Sequence, residues 1–101
     1  MNKIEEIKEF IDSNENAMLY ISSTMCSACD SVYLKLGNII ENNSNIKLMK
    51  IEITENQEVS GEYMVFTVPV IILFKDGKEI HREARFVQFD RLNHYIDNYF
   101  N

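Results

Sequence analysis

Cys26-Ser27-Ala28-Cys29 is the segment of this sequence best equipped to do chemistry. Side chains three apart on a helix lie on one face a turn apart, so the two sulfurs are close enough to close a small ring. One sulfur of such a pair can attack a disulfide, and the other can resolve the mixed disulfide that results. Placement matters as much as spacing. The apolar run Ala17-Met18-Leu19-Tyr20-Ile21 before the pair predicts a buried strand, and the stripe Val32, Leu36, Ile39, Ile40 after it predicts a helix from near Cys26 to Glu41. Cys26 is therefore expected at a helix N-terminus, where free N–H groups and the helix dipole stabilise a thiolate.

Other uses of the pair compete less well. Two inert core cysteines would not need this strand-to-helix position. A tetrahedral zinc site wants four ligands, and only His81 and His94 could complete it. Those two are far apart, on a predicted strand and a predicted helix, and read as surface histidines, so no metal site is expected. A cluster bridging two copies has nothing in the sequence to support it.

The elements that must position the cysteines follow from periodicity. Ile4, Ile7, Phe10 and Ile11 predict a helix over about residues 2–13. Ile46, Leu48, Ile51 and Ile53 suit a second strand, and a weaker helix spans Gln57 to Tyr63. Val70-Ile71-Ile72-Leu73-Phe74 is the best central strand. Asp76-Gly77 marks a tight hairpin, returning over Glu79 to Arg85. Leu92, Tyr95, Ile96 and Tyr99 mark a last helix. The order α-β-α-β-α-β-β-α predicts an α/β fold, a mixed four-stranded sheet flanked by helices, with parallel strands joined by crossover helices early on and an antiparallel edge added by the hairpin.

Bulk properties narrow the function classes. The chain has 101 residues, 46% hydrophobic and 26% charged, which predicts one domain over residues 1–101. Its net charge of -6 argues against nucleic acid or an anionic membrane as partner. Two cysteines are too few for a secreted disulfide scaffold. The first ten residues carry charges throughout and lack the apolar stretch of a signal peptide. Val65 to Phe74 is about half the length of a membrane helix. The expected location is the cytosol, where a close cysteine pair is catalytic more often than structural.

Together these residues resemble the thioredoxin family. The resemblance rests on the CxxC after the first strand, Thr67-Val68-Pro69 before the central strand and Phe74-Lys75-Asp76-Gly77-Lys78 in the hairpin. Pro69 alone reads as a strand start. The resemblance implies more: a thioredoxin-like fold without the family's initial edge strand, Cys26 as nucleophile and Cys29 as resolving thiol. It makes Pro69 the cis-proline facing the site, with the Val68 backbone pairing to the partner chain beside Thr67.

Departures from the family pattern are equally specific. Met25 stands where tryptophan precedes the first cysteine, and Ser27-Ala28 replaces Gly-Pro. Tyr20 aligns with the buried aspartate, and Lys50 with the buried lysine that accompanies it and could aid proton transfer. Leu34 replaces the proline that kinks the helix. Asp30, after the CxxC, should disfavour thiolate, whereas Arg85, replacing a rim glycine, should favour it if its guanidinium reaches Cys26. The alternative is an Arg85 that points into water. Tyr95, Tyr99 and Phe100 read as packing, Glu5, Glu6 and Glu9 as a solvated face, and Met25, Met49 and Met64 as apolar filler unless Met25 lines the docking groove.

The expected function is that of a monomeric thiol–disulfide oxidoreductase acting as a reductant on disulfide-containing proteins. Its substrate-binding residues would be Met25, Thr67, Val68, Pro69 and Arg85. No nucleotide-binding motif is present, so no bound cofactor is expected, and by resemblance an NADPH-dependent flavoprotein reductase would recycle it. The rival is a thioredoxin-fold adaptor with little turnover, favoured by the changes at Met25, Tyr20 and Arg85.

Overall fold

The computed structural model describes residues 2–100. Asn2 caps α1 (Lys3–Ser13), its side-chain oxygen accepting the Glu5 N–H at 2.9 Å. Glu5 and Glu6 occupy the first turn, at the positive end of the helix dipole. β1 (Asn16–Ser22) is buried at all seven positions, as its apolar run predicts. α2 (Ser27–Glu41) continues for fifteen residues through Leu34. After β2 (Lys47–Glu52) come a single 3-10 turn, Ile53–Glu55, and the short α3 (Glu58–Tyr63). β3 (Val70–Lys75), β4 (Lys78–Ala84) and α4 (Phe89–Tyr99) follow.

The strands form one sheet in the order β2-β1-β3-β4. Successive residues of the inner strands face opposite sides, so the sheet carries two cores. Ala17, Leu19 and Ile21 join Val70, Ile72 and Phe74 against Ile7 and Ile11 of α1 and Val59 of α3. Met18, Tyr20, Ile71 and Leu73 face the other way, against Cys29 and Leu36 of α2 and Leu92 and Ile96 of α4. Asp76 and Gly77 have φ of +52° and +83°, the left-handed pair that a two-residue hairpin requires.

One expectation about strand direction needs correcting. Among the described residues only β1 and β2 are parallel; β3 already runs antiparallel to β1, one strand earlier than the hairpin. The short α3 does not act as a crossover helix. Six helical residues span about 9 Å, against about 20 Å for a six-residue strand. The helix α3 alone therefore does not run the length of the sheet, and β3 starts at the end where β2 stopped. Register places Ser22 opposite Glu52, Ile21 opposite Val70 and Val70 opposite Ala84. The loops 23–26, 53–69 and 85–88 thus leave one end of the sheet together.

Candidate active site

The loop before α2 is tied down from two sides. Ser23 accepts the Met25 N–H on Oγ at 3.1 Å and the Cys26 N–H on its carbonyl at 3.1 Å. From the end of β2, the Glu52 carboxylate accepts the Thr24 N–H at 3.0 Å and the Thr54 hydroxyl at 2.6 Å. The bond from Thr54 holds the Glu52 carboxyl below its ordinary range. Cys26 is the N-cap of α2, extended at φ -108° and ψ 108°, and no side chain caps the helix there. Its carbonyl accepts the Cys29 N–H at 3.2 Å, which fixes the two cysteines on consecutive turns.

The two sulfurs sit in different surroundings. Cys26 is half-buried at the surface, whereas Cys29 is only 2% exposed; both are free thiols. Burial pushes the Cys29 thiol up, and a hydrogen bond with Cys26 adds to this, while the Ser23 backbone and Tyr20 oppose it. Cys29 thus keeps its proton more firmly than an exposed thiol, and Cys26 is the more accessible of the two sulfurs.

The neighbouring loops complete the site's rim. The Val68–Pro69 peptide bond is cis, with Pro69 buried and Val68 half-buried against the same core as Cys26. Pro69 carbonyl accepts the Arg85 N–H at 2.7 Å. Arg85 has φ of +66°, the left-handed region that costs a side chain about 1–2 kcal/mol and costs glycine little. Its guanidinium lies 5.2 Å from the Phe86 ring centroid, exposed. Met25, Phe66 and Phe86 are 88%, 77% and 74% exposed, a large apolar area for one end of a sheet. A shallow pocket lined by Ile53, Ser60, Val65, Phe66, Thr67 and Val68 lies beside the cis bond.

Comparison with known proteins agrees with this geometry. The thioredoxin family model matches residues 2–98. The chain belongs to the thioredoxin family. It is 40% identical over 92 residues to the thioredoxin-like protein YdfQ of Bacillus subtilis, covering 91% of this chain and 82% of that one. It is 31% identical to the thiol:disulfide interchange protein DsbD of Campylobacter jejuni, covering 91% of this chain but only 18% of that one. A mutant thioredoxin from Halobacterium salinarum superposes with a TM-score of 0.86 at 23% identity, over 96% of this chain and 85% of that one. Mitochondrial thioredoxin 3 of Saccharomyces cerevisiae gives 0.84 at 21%, over 94% and 89%. These likenesses carry the thioredoxin fold, and the family supports thiol–disulfide oxidoreductase chemistry in general.

Within the thioredoxin frame Lys50 and His81 differ from expectation. Lys50 is exposed rather than buried, because its position on the edge strand β2 faces solvent beyond Tyr33; its ammonium lies 4.3 Å from the Tyr33 ring centroid. Asp30 is exposed in the first turn of α2, where its charge favours the helix. His94 is exposed on α4, but His81 is not a surface histidine. The His81 side chain is 13% exposed, bonded to Glu83 and stacked on Tyr95 at 3.9 Å between ring centroids. Tyr95 also stacks on Tyr99, and Phe100 is buried, so these aromatics do pack. No group of three or more His, Cys, Asp or Glu residues among those described could hold a metal. No helix of the described residues is long and apolar enough to cross a membrane.

Sequence reasoning missed Glu52, Glu83 and the contacts of Tyr20. A hydroxyl in the middle of a fully apolar strand was the available signal for Tyr20. Glu52 and Glu83 carried none, since their partners come from other elements.

Proposed function

We propose that the protein reduces disulfides in partner proteins. The observation that carries this reading is the contrast between its two sulfurs, a reachable Cys26 at the start of α2 and a buried Cys29 one turn behind it. Cys26 thiolate attacks one sulfur of the partner's disulfide. That S–S bond breaks, and the partner's other sulfur departs with the electron pair and takes up a proton. Cys29 then loses its proton and attacks Cys26 Sγ, forming the Cys26–Cys29 disulfide and releasing the partner's second sulfur, which is protonated in turn. Two electrons and two protons have passed to the partner.

During exchange the partner's extended backbone lies against Val68 and Thr67, with Pro69 opposite the cysteines. Met25 and Arg85 flank it, and the exposed Phe66 and Phe86 extend the apolar part of the rim. The protein works as a monomer in the cytoplasm, and an NADPH-dependent flavoprotein reductase returns two electrons to the Cys26–Cys29 disulfide. A second reading, an adaptor that binds partners and turns over poorly, is favoured by Arg85, whose side chain occupies a rim position where its left-handed backbone suits glycine.

Reduction of insulin with dithiothreitol as electron source separates the two readings. Activity above the dithiothreitol background, lost in Cys26→Ser, is the expected result. Binding of partner proteins without any exchange in the wild type supports the adaptor instead.

A further inference from the structure

Tyr20 is fully buried and among the largest side chains of the core, yet it carries a hydroxyl into an apolar layer. A buried hydroxyl costs about 1–3 kcal/mol unless it is paired, and a phenylalanine would fill the same space. The pairing is specific. Tyr20 Oη donates to the Cys29 carbonyl at 2.5 Å, which holds it at the first turn of α2. The same hydroxyl acts on the thiol of that residue, favouring its ionised form. Its ring stacks on Tyr33 with centroids 5.6 Å apart, and Lys50, its cross-strand neighbour on β2, lies over Tyr33. Ring and backbone together leave the hydroxyl little freedom except rotation of its proton, between the Cys29 carbonyl and the Cys29 sulfur.

We propose that Tyr20 is a positioning residue for the resolving step, its hydroxyl turning to donate a hydrogen bond to Cys29 Sγ as that sulfur attacks Cys26. This rests on the reading of Cys26 and Cys29 as an exchanging pair. Taking a proton from a buried thiol creates a charge in a poorly solvating site, and a fixed donor offsets part of that cost. Tyr20 acts as donor and never as base. Burial, together with the nearby Cys29, Cys26 and Asp30, pushes its own ionisation far above the ordinary range. The proton that Cys29 loses therefore goes to solvent, and the departing partner sulfur takes one from solvent. The titratable groups around Cys29 are Cys26 at the N-cap and Tyr20 from β1, with Asp30 on its own helix; the Lys50 charge stands one ring further out.

The test uses Cys26→Ser, in which Cys29 is the one remaining cysteine. In that background the rate of iodoacetamide alkylation against pH reports Cys29 thiolate directly. Adding Tyr20→Phe should lower the thiolate fraction at fixed pH about tenfold, the scale of one hydrogen bond to a charged group. With both cysteines present, exchange with an aromatic disulfide releases one chromophoric thiol when Cys26 attacks and a second when Cys29 resolves. Tyr20→Phe should slow the second release about tenfold and leave the first unchanged. An unshifted alkylation profile with an unchanged second release overturns the proposal. Should Tyr20→Phe not fold, 3-fluorotyrosine in Cys26→Ser reports the same contact. A fluorine resonance moving at the midpoint of Cys29 alkylation supports the proposal, and five tyrosines that all stay put overturn it. If no form of the protein exchanges with any disulfide, the oxidoreductase reading falls, while the alkylation profile still decides the role of Tyr20.

Discussion

Glu83 and Cys29 are both buried on the same side of the sheet, and they are treated in opposite ways. Glu83 on β4 points into the α4 side of the sheet and is saturated. Arg91 donates to it twice, at 2.6 and 2.8 Å, the Gln88 N–H donates at 3.1 Å, and His81 bonds at 2.5 Å. Cys29 lies on the same side of the sheet, reached by the Ser23 backbone, Tyr20 and Cys26. A saturated carboxylate has nothing left to do except hold β4 to the start of α4. A buried sulfur whose partner hydroxyl is held in place but can turn its proton has the room that exchange chemistry would need. Burial alone does not distinguish the two groups; how fully their partners satisfy them does.

The sharpest way to break the contrast is to remove the saturated group. Glu83→Ala deletes four contacts and leaves the Gln88 N–H without its acceptor, so a loss of about 2–3 kcal/mol is expected in urea unfolding. Arg91 is half-exposed and can return to water, which keeps the cost below that of stranding a buried charge. Alkylation of Cys29 in Cys26→Ser should be unaffected. The pH dependence follows from the same contacts. Burial alone would favour the neutral acid, but Arg91, Gln88 and His81 outweigh it and hold the Glu83 carboxyl at about 2, against an ordinary 4.5. A carboxyl lowered on folding adds stability that is complete above about pH 4.5 and fades as the pH falls through about 2. Unfolding free energies between those values should fall with pH in the wild type and flatten in Glu83→Gln.

The two regions also differ in how far they were legible in the sequence. The cysteine pair, its strand and its helix were readable because their signals are local: spacing, an apolar run and a helical stripe. The Asp-Gly hairpin was readable for the same reason, since two adjacent residues suffice to specify the turn. Glu83 was not, because its partners come from the same strand two residues back and from a helix eight residues on. His81 was misjudged for want of the Tyr95 ring that covers it. The direction of β3 depends on the path of residues 53–69 around the short α3, which no local pattern specifies. Lys50 sat in the right column of the family pattern but on an edge strand that turns it outward, a fact of topology rather than of residue type.

Arg85 connects the two regions, two residues beyond Glu83 and bonded through its N–H to Pro69. Arg85→Gly keeps that N–H and relieves the left-handed backbone at φ +66°. The gain on folding is partly offset by the freer unfolded chain, so a net stabilisation of about 0.5–1 kcal/mol is expected. A rise in Tm together with slower exchange on peptides rich in Asp and Glu would give Arg85 a role in partner choice. A rise in Tm alone would leave it a backbone oddity of the rim.

The smallest expected effect is at Lys50, and it bears most directly on what governs Cys29. Its ammonium lies over Tyr33, which stacks on Tyr20, so charge could act through two rings on the buried sulfur. An exposed cation over a ring contributes about 0.5–1 kcal/mol to stability, and its field at Cys29 is weakened by distance and by water. Lys50→Gln should therefore cost about that much in urea unfolding and change Cys29 alkylation in Cys26→Ser less than about twofold. A tenfold change would mean that the cation, and not the Tyr20 hydroxyl, sets the reactivity of the sulfur. The same experiment at high salt separates the two causes, because screening weakens an exposed charge and leaves a buried hydroxyl donor as it was.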